Sequence, residues 1–226
     1  MKEVFFFVLL KMEFFNGRKK MNIKNNRVNW VAKVGMLSAV SAILMFLEIP
    51  IPLVPPFLKF DFSDLPALIA GFAFGPLAGV AVLFVKNLIH ALASWSFLVG
   101  ELANFLIGVS FILPAAYIYR IKKTKGRAVV GMIVGGTTMV IIAGLLNYYV
   151  LLPMYTRVLG YTMEDIIAWS SSANKHIVDL RSLVVIGITP FNVFKVLVNT
   201  VLTALIYKKI SPLLHSGISK QDKPSA

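Results

Sequence analysis

"VVIGITPFNVFKVLVNTVLTALIYKK", residues 184–209, is the stretch whose reading decides the fold. It is long and apolar enough to cross a bilayer, because about 20 such residues in a helix span a hydrocarbon core of about 30 Å. Yet it carries Asn192, Lys195 and Asn199. Spacings of three and then four put all three on one face of a helix. In hydrocarbon such groups are costly unless they face a protein interior and find partners there. The run is therefore expected to form the wall of a bundle, apolar outside and polar inside.

The rest of the chain supports that reading. Of its 226 residues 58% are hydrophobic and only 15% charged, and the mean hydropathy is +0.78. Soluble domains carry about 25% charged residues. Apolar runs lie at Val31–Ile49, Leu65–Phe74, Leu77–Leu92, Leu98–Tyr119, Ala128–Leu152 and Leu183–Ile210. The fold class is an all-α membrane protein of six transmembrane helices. The second and third runs are separated only by Gly75 and Pro76, too tight for a polar loop, and are expected to form a hairpin. Ser63 or Asp64 is a cap candidate for the second helix, with Pro66 in its first turn. Thr162 and Asp165 stand in capping-box spacing, which predicts a short helix within the connection from Leu152 to Ser182.

The net charge of +13 could point to nucleic acid, so the placement of the charges matters more than the total. Seventeen of the 23 Lys and Arg fall in three segments: residues 2–33, 120–127 and 208–226. An even number of helices puts all three on one side, the pattern of cytoplasmic loops, with both termini cytoplasmic. No nucleic-acid partner is expected; the bilayer is the partner. Residues 1–30 are read as a basic cytoplasmic segment, with Met12 and Met21 as alternative starts, residues 31–213 as the membrane domain, and residues 214–226 as a cytoplasmic tail.

With this orientation the polar residues gather at the outer ends of the helices. Lys86, Asn87 and His90 end the third; Glu101 and Asn104 begin the fourth; Asn147 lies late in the fifth; Asn192 and Lys195 begin the sixth. One pocket open to the outside is expected. An amide that donates and accepts, beside an ammonium that only donates, suits a planar heterocycle with ring carbonyls and imide N–H groups. Tyr148, Tyr149 and Tyr155 offer rings for stacking. Plainer readings stand beside these. Lys195 could snorkel to the headgroups. Lys86 and Glu101 could form an ion pair. His90 reads as a surface or interfacial histidine, Asn199 as a bond to a neighbouring helix, and Trp30 and Trp95 as belt residues. In the first helix Ala32, Gly35, Ala39 and Ala42 form a smooth stripe, suited either to internal packing or to docking another membrane protein. No phosphate-binding loop, HExxH or GxSxG motif occurs, so no enzyme is expected. With no cysteine, disulfides and thiolate metal sites are excluded.

Taken together, "LKFDFSDLPALIAGFAFGPLAG", "VKNLIH", "GELANFLIG", "NYYVLLPMY" and "TPFNVFKVLVN" resemble the riboflavin-specific S components of energy-coupling factor (ECF) transporters. The resemblance covers about Val31 to Leu213. It implies the S-component fold in a prokaryotic plasma membrane, with riboflavin captured at the outer face as transported ligand and no cofactor. It implies as partners a transmembrane coupling protein and two ATPase subunits. It implies substrate contacts from Asn192, Lys195, Glu101 and Asn147, beside the Tyr148 ring already singled out for stacking, a lid over Val54–Phe60 that includes Leu58, Lys59 and Phe60, and a docking face at Ala32, Gly35, Ala39 and Ala42. An S component for another vitamin, and a stand-alone small-metabolite carrier, are the alternatives that stay open. If the stripe is a docking face, Ala39→Trp is expected to abolish uptake and complex assembly while the isolated protein keeps its flavin affinity. Loss of flavin binding by this variant would make the stripe internal packing instead.

Overall fold

The computed structural model describes residues 23–94 and 98–215. The basic segment through residue 22, Trp95 and the tail beyond residue 215 lie outside the described residues. Helices α1 (Ile23–Met45), α2 (Asp64–Phe74), α3 (Pro76–Ala91), α4 (Val99–Ile121) and α5 (Lys125–Leu146) are followed by a π-helical segment, Asn147–Leu151, that runs directly into α6 (Leu152–Leu159). Next come α7 (Met163–Ala173), the single turn α8 (Leu180–Ser182), a second π-helical segment, Leu183–Ile188, and α9 (Thr189–His215). Between α1 and α2 the strands β1 (Ile49–Pro50) and β2 (Lys59–Phe60) pair antiparallel.

Apolar helices stand where the sequence predicts all six, but they do not all cross in the same way. Among the described residues four are long and apolar enough to span a membrane: Val28–Met45, Val99–Ile121, Lys125–Leu159 and Leu180–Ile206. Helices α2 and α3 have 11 and 16 residues. At 1.5 Å per residue they reach only about 16 and 24 Å, less than the hydrocarbon core. Among the described residues the six expected helices thus comprise four long ones and the hairpin of two shorter ones. Gly75 makes the hairpin possible: its φ of 100° joins the two helices without a loop, in a region that side chains with a Cβ avoid.

The hairpin is the centre of the bundle rather than its edge. Every residue from Asp64 to Ala73 is buried, and α2 contacts α1, α3, α4 and α9. A helix apolar on all sides is expected in such a position. Its Leu68 and Phe72 pack with Val82 and Leu83 of α3, Phe111 and Ile112 of α4, and Met132 and Met139 of α5. Helix α9 is sided in the opposite sense to a soluble helix. Asn192, Lys195 and Asn199 are 3%, 6% and 1% exposed, whereas Val193, Phe194, Leu197, Val201 and Leu205 face outward. That is the pattern its sequence spacing predicts.

Two cap expectations turn out differently. Thr162 and Asp165 form the full reciprocal capping box at the start of α7. Hydrogen bonds from the Thr162 hydroxyl and backbone N–H hold the Asp165 carboxyl below the usual carboxylate range. This lowered value means the cap contributes at neutral pH and is lost only as the pH falls through it. Ser63 and Asp64, by contrast, make no side-chain cap on α2, because both side chains are engaged in the ion network described below.

The stripe on α1 also divides. Ala32, Gly35 and Ala39 are exposed, and a Cβ added at Gly35 would meet nothing within 4 Å. Ala42 does not share that surface; at 4% exposure it packs into the bundle.

Helices α4 and α5 approach closely through "GMIVG". Cβ atoms added at Gly131 and Gly135 would lie 2.6 Å from the Ala115 carbonyl oxygen and 2.3 Å from that of Phe111. Small residues four apart permit this backbone approach. Gly135→Leu is therefore expected to destabilise the protein by about 1–3 kcal/mol or more through overpacking, seen as a lower melting temperature in detergent. Gly126→Ala, at a site open to at least 4 Å, serves as the neutral control. Equal melting of Gly135→Leu and wild type would contradict the close packing.

Candidate ligand-binding site

A cavity of about 530 Å³ opens at one end of the bundle, within the range of small-molecule sites. Its wall is assembled from the end of α1, the β1–β2 hairpin, the turn before α2, the C-terminal part of α3, the start of α4, the first π segment, α6 and α9. The polar ends of helices that are far apart in sequence thus meet at one depth, as their common position at outer helix ends predicts.

Asn192, Lys195, Glu101, Asn147, Leu58 and Lys59 all line this cavity, as do His90, Asn104 and Tyr155. Phe60 and Tyr148 form no part of the wall. Phe60 is buried against the rings of Phe62 and Phe194, with centroids 4.9 and 5.4 Å away. Tyr148 packs toward Leu152 and Ile166 and meets Tyr149 edge-on. The aromatic wall comes instead from Tyr155, Phe46, Phe57 and Phe191, with the Tyr155 ring 6.5 Å from that of Phe57. Phe57 and Leu58 pack against the apolar cluster around Leu152, Ile177 and Ile188, which draws the hairpin loop over the α6 side of the cavity.

Local helix geometry aims the amides. Nδ2 of Asn147 donates to the Ala143 carbonyl, and Nδ2 of Asn192 to that of Ile188, each at 2.8 Å and each one turn back. Each bond fixes the side chain of a residue in the cavity wall and leaves the second N–H and the oxygen of the amide for other partners. Asn147 opens a π-helical segment, and a second π segment leads into α9 just before Asn192. Extra residues of this kind inside a helix often mark functional positions, because they rotate the following side chains. Asn199, one turn below Lys195, donates to the Lys195 carbonyl at 2.9 Å, so its bond lies within its own helix and not to a neighbour.

The charges are organised in two groups. At the mouth, Lys59 on β2 pairs with Glu48. His90 Nδ1 lies 2.8 Å from Glu101 Oε1, and its Nε2 faces Glu48 at 3.8 Å. His90 is thus a bridge between the hairpin and α4, with a side chain only 13% exposed, not a surface residue. At the base, Lys195 Nζ lies 3.0 Å from Asp64 Oδ2 and 3.7 Å from Asp61 Oδ2. It points inward to carboxylates and does not snorkel. Lys86 pairs with Asp64 Oδ1 at 2.5 Å and not with Glu101, and it also donates to the Ser63 hydroxyl. Sequence reasoning missed Asp61 and Asp64 because "DFSD" reads as a helix start. The available signal was charge balance, since two buried lysines need two buried acids.

This architecture is that of a membrane-embedded helical bundle with a cavity at one end. Residues 29–207 match the family model of the ECF transporter substrate-specific component. The chain belongs to that family. It is 40% identical over 199 residues to the riboflavin transporter RibU of Staphylococcus aureus (strain TCH60), covering 88% of this chain and 98% of that protein. Over 190 residues it is 40% identical to the riboflavin transporter FmnP of Bacillus subtilis (strain 168), covering 82% and 94%. A solved S component of a bacterial ECF transporter superposes with a TM-score of 0.68 at 37% identity, over 83% of this chain and 98% of the other. The family is one of transporters, not enzymes, and the chain is a multi-pass membrane protein.

Removing the acceptor that His90 uses is expected to loosen the mouth. Glu101→Ala should lower stability by about 1–3 kcal/mol, measured as melting in detergent, and Glu101→Gln by less because it keeps an oxygen for the imidazole. A Glu101→Ala protein melting with wild type would show that the bridge contributes nothing.

Proposed function

We propose that the chain binds riboflavin at the outer face of the membrane and delivers it inward in association with a transmembrane coupling protein and two ATPase subunits. The observation that carries this reading is the polar cavity wall, formed by Asn192, Lys195, Asn147 and Glu101, in a chain so similar along its length to riboflavin transporters. The isoalloxazine edge of riboflavin offers two carbonyls, a ring nitrogen and an imide N–H. An ammonium and two amide groups on fixed side chains match that set of donors and acceptors. Glu101 accepts from ribityl hydroxyls or the ring imide. The ring of Tyr155 gives a stacking surface, and Leu58 and Lys59 on the hairpin close over the ligand. The exposed stripe of Ala32, Gly35 and Ala39 is the docking face for the coupling protein, smooth enough for close helix approach.

Titration of the purified protein with riboflavin, thiamine, biotin and folate separates this function from that of an S component for another vitamin. Quenching of riboflavin fluorescence is expected at submicromolar concentration, with no competition from the other three. Asn192→Ala with Lys195→Ala is expected to weaken binding by about 2–4 kcal/mol, because ligand groups are then buried without partners. Unchanged affinity in the double variant would remove these two residues from the site.

A further inference from the structure

Two buried charges among the described residues, Lys86 and Asp64, take no part in the cavity wall. Lys86 is fully buried on α3 and does not line the cavity, so it cannot touch a ligand there. Its ammonium is directed to Asp64 Oδ1 and the Ser63 hydroxyl. The other oxygen of Asp64 faces Lys195, which does line the cavity. Asp61 completes the group: its Oδ1 accepts the Ser63 backbone N–H at 2.7 Å, and its Oδ2 faces Lys195. The Ser63 carbonyl accepts from Ser41 of α1, which ties the turn to a fourth element. Two carboxylates and two ammoniums make the cluster neutral.

We propose that Lys86 and Asp64 are positioning residues for ligand binding, with Lys86 neutralising the buried carboxylate pair so that Asp64 holds the Lys195 ammonium at the cavity wall. The assignment rests on the reading of this cavity as the flavin site. Without Lys86, Asp61 and Asp64 share one ammonium and the cluster carries a net negative charge in a medium that screens it poorly. Lys195 is then drawn between both acids, and the uncompensated charge repels the carbonyl oxygens that a flavin presents to it. Lys86 is the residue through which α3 controls a contact made by α9.

The test uses Lys86→Met, which removes the charge at nearly the same length, alone and combined with Asp61→Asn, which restores neutrality while sparing the Asp64–Lys195 contact; Asp61→Asn alone is the control, because Asp61 itself lines the cavity. Riboflavin Kd is measured by fluorescence quenching, and unliganded melting is measured on the same proteins. Lys86→Met is expected to raise Kd by about tenfold or more, and the double variant to recover to within about threefold of wild type. A packing role predicts the reverse, a second substitution that adds to the damage of the first. Wild-type Kd in Lys86→Met, or a double variant worse than Lys86→Met in both measurements, would overturn the proposal. A double variant that melts higher than Lys86→Met but binds no better would reduce Lys86 to a structural counter-ion, which also overturns it. Should the wild-type protein itself not bind riboflavin, the flavin reading fails, and melting of the double variant above or below Lys86→Met decides the charge balance by itself.

Discussion

The carboxylate of Asp64 is the constraint on which the rest of the structure depends. It sits at the first turn of the central helix α2, with one oxygen toward Lys86 of α3 and the other toward Lys195 of α9. An unpaired carboxylate or ammonium at such a depth would be severely destabilising, and its partners are therefore fixed in place by their mutual need. The α2–α3 hairpin and the distant helix α9 are held in one register by this requirement. The hydrophobic effect cannot do the same, since lipid tails are as apolar as the side chains they would replace.

The cavity follows from that registration. Because α2 and α3 are too short to cross the membrane alone, the long helices enclose them and leave space above the hairpin. The ion cluster forms the floor of that space. Its mouth is shaped by the second charged group, in which His90 and Glu101 face the Glu48–Lys59 pair of the hairpin. Between floor and mouth lie the fixed amides of Asn147 and Asn192. A membrane protein therefore carries a small polar site at one end of an apolar shell, with its exposed hydrophobic side chains turned to lipid.

Much of this was legible from the chain itself, and the limits have physical causes. Helical spacing sufficed for Asn192, Lys195 and Asn199, since a bilayer leaves one helix only one face to hide polar groups on. Gly75 followed by Pro76 sufficed for the hairpin, and Thr162 with Asp165 for the capping box. Pairing was the harder matter. Spacing says which residues share a helix face but not which face meets which, so Lys86 was as compatible with Glu101 as with Asp64. Asp64 was hidden by a second use of the same residue type, because an acid beside a serine before an apolar run is also a helix start. The π segments at Asn147 and before Asn192 have no simple sequence signature, and they decide how the amides are aimed. Phe60 and Tyr148 show the converse: an aromatic residue near a site is as readily core as wall.

The proposed binding of a flavin in the cavity above this ion cluster is tested most directly by the colour of the protein. The full chain would be purified in detergent from cells grown in riboflavin-rich medium and its visible absorbance recorded. A flavin spectrum at about one flavin per chain, surviving the columns, is the predicted result; submicromolar affinity corresponds to more than about 8 kcal/mol of binding free energy. A colourless protein that also fails to quench added riboflavin would contradict the account.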